Sequence, residues 1–292
     1  MAYGKLCFTC VFSPPLIHEV TDPTETEYMP AVTTVKLSTS TYPRFCKGAV
    51  LAQINIQEIH RKIEEIRNFL KERNKHLLTC RETMLNNGDL TSMYSIPNYH
   101  FYRFDKKHRK GGGSGLYLRE DCSMLEIKFD VDVLFEVEIN CFKITLPDVK
   151  AFLIVTVYNP MLVSVEFLEN YLSLMFHVAE NYDECYVKGD FNINLLSKDS
   201  SSLTCNHLCR KYNLKQQIQE PTIISNTSAT LIDHIYASHD APVVESGCLN
   251  LTSSDHKCIF LVHKHKQIKF NSKIIQYRKL NCVNWEAVKE QV

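Results

Sequence analysis

The stretch Glu184 to Leu196, ECYVKGDFNINLL, decides how the rest of the chain is to be read. Its first half is an apolar run of strand length that stops at Gly189-Asp190. A carboxylate, Asp190, and an amide, Asn192, follow at once. Taken alone, GDFN fits a type I turn closed by an Asx hydrogen bond, because Asp and Asn after a strand are ordinarily turn formers. The other reading is an active-site pair at the end of a buried strand. The choice rests on what stands at the other strand ends.

The same placement recurs along the chain. VLAQIN ends on Asn55, HLLTCRE on Glu82 and AFLIVTVY on Tyr158; LIDHI carries Asp233, and Ser254-Asp255-His256 precedes the apolar run CIFLV. Burying an unpaired carboxylate or amide costs several kcal/mol, so strand interiors stay apolar while polar groups at strand ends can line a cleft. Each residue singly has an ordinary reading as a turn former, a packed phenol or a surface pair. Together they form a set of carboxylates, amides, one phenol and one imidazole spread over six strand ends.

The elements between them alternate. The spacing of Ile59, Ile63, Ile66 and Leu70 predicts an amphipathic helix over QEIHRKIEEIRNFLKERN, residues 57–74. VEFLENYLSLMFHVAENY, with Leu168, Tyr171, Met175 and Val178 on one face, is a second, and SLTCNHLCRKYNL a shorter third. YHFYRF, GLYLRE, MLEIKF and VLFEVEI read as further strands separated by turn residues. Helices interspersed with hairpin-like strand pairs argue for mixed sheets covered by helices. Residues 1–48, rich in Thr, Ser and Pro, are expected to be a poorly ordered N-terminal segment. The folded domain spans 49–263, and 264–292 is a basic extension.

Composition narrows the classes. The 292 residues are 45% hydrophobic and 23% charged, enough for a sizeable core. Lys plus Arg and Asp plus Glu are both 33, so global charge does not point to nucleic acid and any polyanion must be held locally. The 12 Cys sit in part within apolar runs, as Cys185 and Cys258 do, and read as reduced thiols of a nuclear or cytoplasmic protein. Cys7 and Cys10 form a CxxC without a second pair at zinc spacing. No apolar run reaches the ~18 residues of a membrane span, and LCFTCVF after Lys5 is too short for a secretory signal.

The strand-end set suits attack of water on a phosphodiester. Magnesium binds few protein carboxylates and keeps several waters, so Glu82 with Asn55 suffices as its site. Asp190 and Asn192 can orient and deprotonate the water. His256 can face the non-bridging oxygens if Asp233 fixes its tautomer and supports its charge. Tyr158 can donate to the phosphate or the leaving oxygen.

The ordered motifs AQIN, RETML, GGGSGLYLRE, VYNP, GDFNINLL, TLIDHIY and SSDHKCIF resemble those of the endonuclease/exonuclease/phosphatase superfamily, over roughly residues 49–263. The phrases GGGSGLYLRED and EPTIISNTSATLIDHIYAS are most similar to the apurinic-type endonuclease domain of non-LTR, LINE-like retrotransposons. The resemblance implies a four-layer α/β/β/α sandwich of two mixed sheets, like deoxyribonuclease I, with the site in the cleft at one end. It implies Glu82 as metal ligand with Asn55 beside it, Asp190 and Asn192 as the pair that handles water, and Tyr158 as the Tyr of a Tyr-x-Pro motif. Asp233 becomes the acid behind His256, and Asp255 supports the metal or histidine region. The implied activity is Mg2+-dependent nicking of one DNA strand to leave a 3′-hydroxyl, with Mn2+ as a substitute. Alternatives are a catalytically weak DNA- or protein-binding module and a phosphatase of the same superfamily.

Departures from the family pattern stand at Arg81 and Met84, where RETML replaces the usual Thr-Glu-Thr-Trp-Leu, and at Asn159-Pro160-Met161, which lacks the usual arginine. Strict strand alternation directs Arg81 to the face opposite the cleft. No Tyr/Phe-x-Asp-Asp signature is present, so the chain reads as an element's nuclease without its reverse transcriptase. The run Gly111 to Gly115 lacks the Lys-Ser/Thr of a phosphate-binding loop, and no nucleotide cofactor is expected. Lys106, Lys107, Arg109 and Lys110 beside it are candidate DNA-phosphate contacts, as are Lys264, Lys266, Lys269 and Lys273. A monomer is expected.

Overall fold

A computed structural model describes residues 3–6, 48–71, 75–106, 112–128, 137–147, 149–159, 165–264 and 275–278. The strands are β1 (Tyr3–Leu6), β2 (Ala49–Asn55), β3 (Lys75–Arg81), β4 (Tyr99–Phe104), β5 (Ser114–Arg119), β6 (Ser123–Ile127), β7 (Glu138–Thr145), β8 (Phe152–Tyr158) and β9 (Cys185–Asp190). They continue with β10 (Leu214–Gln216), β11 (Ile223–Ile224), β12 (Ala229–Thr230), β13 (Asp233–Ser238), β14 (Val243–Leu249), β15 (Cys258–His263) and β16 (Ile275–Arg278). The helices are α1 (Ile63–Lys71), α2 (Val165–Glu180) and α3 (Ser200–Lys211). Thr39–Gln267 forms one compact unit. Met1–Ser38 with Ile268–Val292 forms another, in which β1 pairs antiparallel with β16. No described helix is long and apolar enough to cross a membrane.

The larger unit contains two six-stranded mixed sheets, ordered β14-β15-β2-β3-β5-β4 and β10-β13-β9-β8-β7-β6. Each has one parallel pair, β2–β3 and β8–β9, and is otherwise antiparallel. Each parallel pair is joined through a helix, α1 or α2, as a parallel crossover requires. The carboxyl ends of β2, β3, β8 and β9 therefore carry the polar residues.

Side-chain alternation sorts the apolar residues into layers. Val50, Ala52 and Ile54 of β2 pack with Ile66, Phe69 and Leu70 of α1. Ala49 and Leu51 face the other way and meet Phe142, Phe152, Ile154 and Tyr186 of the second sheet. The outer face of that sheet, with Val155, Val157 and Val187, is covered by Leu172, Met175 and Phe176 of α2 and by Cys205 and Leu208 of α3. The result is the α/β/β/α sandwich anticipated above. Cys80, Cys141, Cys185, Cys205 and Cys258 are buried free thiols.

One local expectation changes, and several strands lay beyond the sequence reading. The first helix begins at Ile63, not at residue 57. Gln57 and Glu58 have φ of 47° and 80°, and the Lys62 ammonium donates to the carbonyls of Ile56 (2.5 Å) and Gln57 (3.1 Å), so this segment is a tight turn. Ile59 is buried all the same, which is why it matched the stripe. Of the strand anticipated at 133–139, residues 133–136 lie outside the described residues; Glu138 and Ile139 open β7, which runs on to Thr145 through Asn140 and Lys143, where the apolar pattern is interrupted. Strands β10, β11, β12 and β14 carry too little alternation to be read. Cys7, Cys10, Lys107, Arg109, Lys110, Lys266, Lys269, Lys273 and the side chains of Leu168 and Tyr171 lie outside the described residues.

Candidate active site

Strand register brings the first carboxylates together. Tyr158 is the β8 partner of Asp190, and Asp233 is its β13 partner, so three strand ends stand abreast. Gly189 permits this: a Cβ there would lie 2.0 Å from the Val157 carbonyl oxygen of the neighbouring strand. Beyond Asp190 the chain turns. Asn192 has φ of 50°, and its amide N–H donates to Asp190 Oδ1 at 3.1 Å. Its side-chain Nδ2 donates to the Asn159 carbonyl at 2.5 Å, while Asn159 Nδ2 donates to the Phe191 carbonyl at 3.1 Å. GDFN is thus both a turn with an Asx bond and the carrier of two side chains at the cleft.

The first sheet supplies the facing groups. Asn55 Nδ2 donates to Glu82 Oε1 (2.7 Å) and to Asp190 Oδ2 (3.0 Å), linking the two sheets through one amide. Tyr158 stands beside Glu82. Burial first, then the charges of Glu82, Asp190 and Glu138, push its phenol well above the usual range, so it is a proton donor at neutral pH. Ser254 Oγ donates to the Asn55 carbonyl at 2.8 Å and ties the Ser-Asp-His segment to β2.

His256 and Asp233 form a buried pair, Nδ1 to Oδ2 at 2.8 Å, with side chains 7% and 1% exposed. The His256 pKa is set by opposing effects. Burial disfavours its charge, but the hydrogen bond and field of Asp233, aided by Asp190 and Asp255, raise it to about 9. Asp190 moves the same way for a different reason: burial, then repulsion by Asp233, raises it to about 7 against the pull of His256 and Asn55. Asp255 is exposed, with Oδ1 3.9 Å from His256 Nε2.

The donor set fits a divalent cation. Asp190, Asp233 and His256 each offer a ligand atom, all within 4.8 Å of one another. Glu82 and Asn55 adjoin them, and Asp233 Oδ1 is buried without a hydrogen-bond partner. Three carboxylates leave an excess of negative charge, and with His256 charged and bonded to Asp233 the oxygens of Glu82 and Asn55 are the donors that could hold a hard divalent cation.

Arg81 does not take the outer face. As the register partner of Asn55 in parallel strands it shares that residue's inward face. The residue that breaks alternation is Glu82, with φ of 52°. Arg81 lies fully buried between the sheets, Nη1 3.3 Å from Asn140 Oδ1 and 3.8 Å from Glu138 Oε2. Lys106, expected at DNA, is 3.3 Å from Glu138 Oε1.

Sequence reasoning missed the groups behind this front row. Thr222 Oγ1 accepts from the amides of Ile232 (3.2 Å) and Asp233 (3.1 Å). His234 stacks on Phe191 at 4.7 Å, and its Nε2 lies 3.0 Å from the Ile193 carbonyl, supporting the GDFN turn. Burial lowers the His234 pKa to about 4, so it stays neutral there. Lys188, buried between the sheets, donates to the Ala52 carbonyl at 2.8 Å. Its position two residues before Asp190 on an alternating strand was the available signal for an inward side chain.

No protein-family model matches the sequence, and no curated protein matches it. Solved structures do. An AP endonuclease from Archaeoglobus fulgidus aligns with a TM-score of 0.57 and 14% identity, over 74% of this chain and 100% of its own. The endonuclease domain of TRAS1, a telomere-specific non-LTR retrotransposon, gives 0.58 and 12%, over 75% and 100%. The Neisseria 3′ phosphatase NExo, bound to a product DNA hairpin, gives 0.54 and 14%, over 74% and 100%. With its two facing mixed sheets, this chain has the fold of the endonuclease/exonuclease/phosphatase proteins.

Proposed function

We propose that this chain is a divalent-metal-dependent phosphodiesterase that nicks one strand of DNA and leaves a 3′-hydroxyl. The observation that carries the reading is the junction of both sheets at Asn55, whose amide reaches Glu82 and Asp190 beside the Asp233–His256 pair. Asp190, held by the Asn55 side chain and the Asn192 amide, takes the proton from the attacking water; a carboxylate near pH 7 suits a general base. Asn192 completes the water site. Asp233 holds the proton on His256 Nδ1, so that Nε2 of the charged ring donates to a non-bridging phosphate oxygen. Tyr158 donates to the phosphate or to the leaving oxygen, and Asp255 supports the histidine from the exposed side. Magnesium, or manganese in its place, held by Glu82 with Asn55, would offset phosphate charge.

The likeness to the TRAS1 domain supports DNA as the substrate and a retroelement origin. The likeness to NExo supports a second reading, removal of a 3′ phosphate. A supercoiled-plasmid nicking assay with Mg2+ or Mn2+, run beside a 3′-phosphorylated oligonucleotide, separates them. The wild type is expected to give open-circle product that His256→Ala and Asp190→Ala do not. Equal nicking by all three proteins sinks the endonuclease reading, and release of phosphate without nicking selects the other.

A further inference from the structure

A guanidinium stays charged at every accessible pH, and Arg81 directly precedes Glu82 in a fully buried position. Left uncompensated there, its charge opposes binding of a second cation. The second sheet supplies an opposing charge. Glu138 Oε2 lies 3.8 Å from Arg81 Nη1. Glu138 Oε1 accepts from the Gly113 amide at 3.2 Å and faces Lys106 Nζ at 3.3 Å. Gly113 in turn accepts at its carbonyl from the Thr83 amide, next to Glu82. On its other side Glu138 is the register partner of Tyr158, which stands beside Glu82. Asn140, two residues along β7, accepts from Arg81 Nη1 (3.3 Å) and Ser114 Oγ (3.0 Å), holding the guanidinium toward β7. Glu138 and Asn140 border a cavity of about 450 Å³, so water reaches this side of the pair.

We propose that Glu138 is a positioning residue that offsets the Arg81 charge beneath the Glu82 edge and thereby keeps the cation site usable. This rests on the metal-dependent reading above. Two roles of the pair can be told apart by sign. If it is only a mechanical brace, removing either partner weakens the site alike. If Glu138 acts by charge, Glu138→Gln weakens cation binding while Arg81→Gln leaves it equal or tighter.

The test is direct titration of Mn2+ by calorimetry on the full chain, with thermal melts to verify folding. Wild type is expected to bind. Glu138→Gln is expected to bind ~10-fold more weakly, as loss of an outer-shell partner does. The double variant is expected to return to within about threefold of wild type, since the charge and its countercharge leave together. If Glu138→Gln does not fold, Arg81→Gln alone decides: equal or tighter binding supports the assignment and weaker binding overturns it. Wild-type affinity in Glu138→Gln also overturns it. Absence of Mn2+ binding by the wild type removes this assignment together with the metal-dependent reading, whereas the other failures leave that reading standing.

Discussion

The two halves of the site are made by different means. In the corner, strand register sets Asp190 against Asp233, His256 is hydrogen-bonded to Asp233, and all three are almost wholly buried. The edge of Glu82 is set by loops, in which Gln57, Glu58, Glu82, Met84 and Gly113 all take positive φ. Those loops are laced by Glu58 N–H to Glu82 O (2.8 Å) and Thr83 N–H to Gly113 O (3.2 Å). The corner stores electrostatic tension, since like-charged carboxylates face each other out of water. The edge stores backbone strain, which persists only where surrounding contacts over-determine it. Chemistry that needs a shifted pKa belongs in the first, and a ligand that must be placed against a cation belongs in the second.

Substitutions can break that contrast, and the largest effect is expected at Asp190. Asp190→Asn should lower nicking about 10³-fold, yet hold or raise the melting temperature, because burial and Asp233 both oppose the carboxylate. Parallel loss of stability and activity would mean that the corner is structural instead. Gly189→Ala should destabilise by about 3 kcal/mol, since its Cβ meets the Val157 carbonyl at 2.0 Å and the strands that set the register must part. Chemical denaturation measures it, and a variant as stable as wild type shows that register tolerates the separation.

A pH profile sharpens the corner further. The folded His256 pKa of about 9 lies above its ordinary 6.5. Its stabilisation is therefore fully present below 6.5 and is lost as pH rises through about 9. Nicking should fall over the same upper range, as the imidazolium loses its proton. In Asp233→Asn that alkaline limb should move down by about 1–2 pH units, since a neighbouring carboxylate raises a histidine by this order; an unmoved limb assigns it to another group. The smallest effect is expected at the edge. Gly113→Ala puts a side chain at φ of 78° and should cost about 1 kcal/mol. It should weaken Mn2+ binding without moving the alkaline limb, and a shifted limb would show that edge and corner are coupled.

Much of this was legible residue by residue. The long apolar strands β2, β3, β8, β9, β13 and β15 read correctly because each alternates or is continuously apolar; β2, β8 and β9 end on Asn55, Tyr158 and Asp190, Glu82 follows β3, Asp233 opens β13 and His256 precedes β15. The later part of β7 and the whole of β14 escape a one-dimensional reading because Asn140, Lys143, Glu245 and Gly247 break the pattern that it depends on. The start of α1 was misplaced because Ile59 is buried from a turn, and burial alone carries no information about backbone conformation. Asn55, Glu82, Asp190, Asp233 and His256 meet where the two sheets join, with Tyr158 abreast of Asp190, Asn192 turned to the Asn159 carbonyl, exposed Asp255 3.9 Å from His256 and Lys106 3.3 Å from Glu138.

What the sequence by itself determined about this protein is its long apolar strands, its three helices and the polar residues beside those strands, because period and chain breaks are local properties. Only the tertiary structure decided which faces those ends present. Arg81 was assigned to the outer face on alternation from Glu82, yet Glu82 is the residue in left-handed backbone, and the register of β3 against β2 turns Arg81 inward. A partner for its charge, Glu138, stands 57 positions away on the other sheet, and no local pattern relates the two. Pairing between sheets is a non-local choice, settled by which apolar faces bury each other, and the fate of a buried charge follows from it.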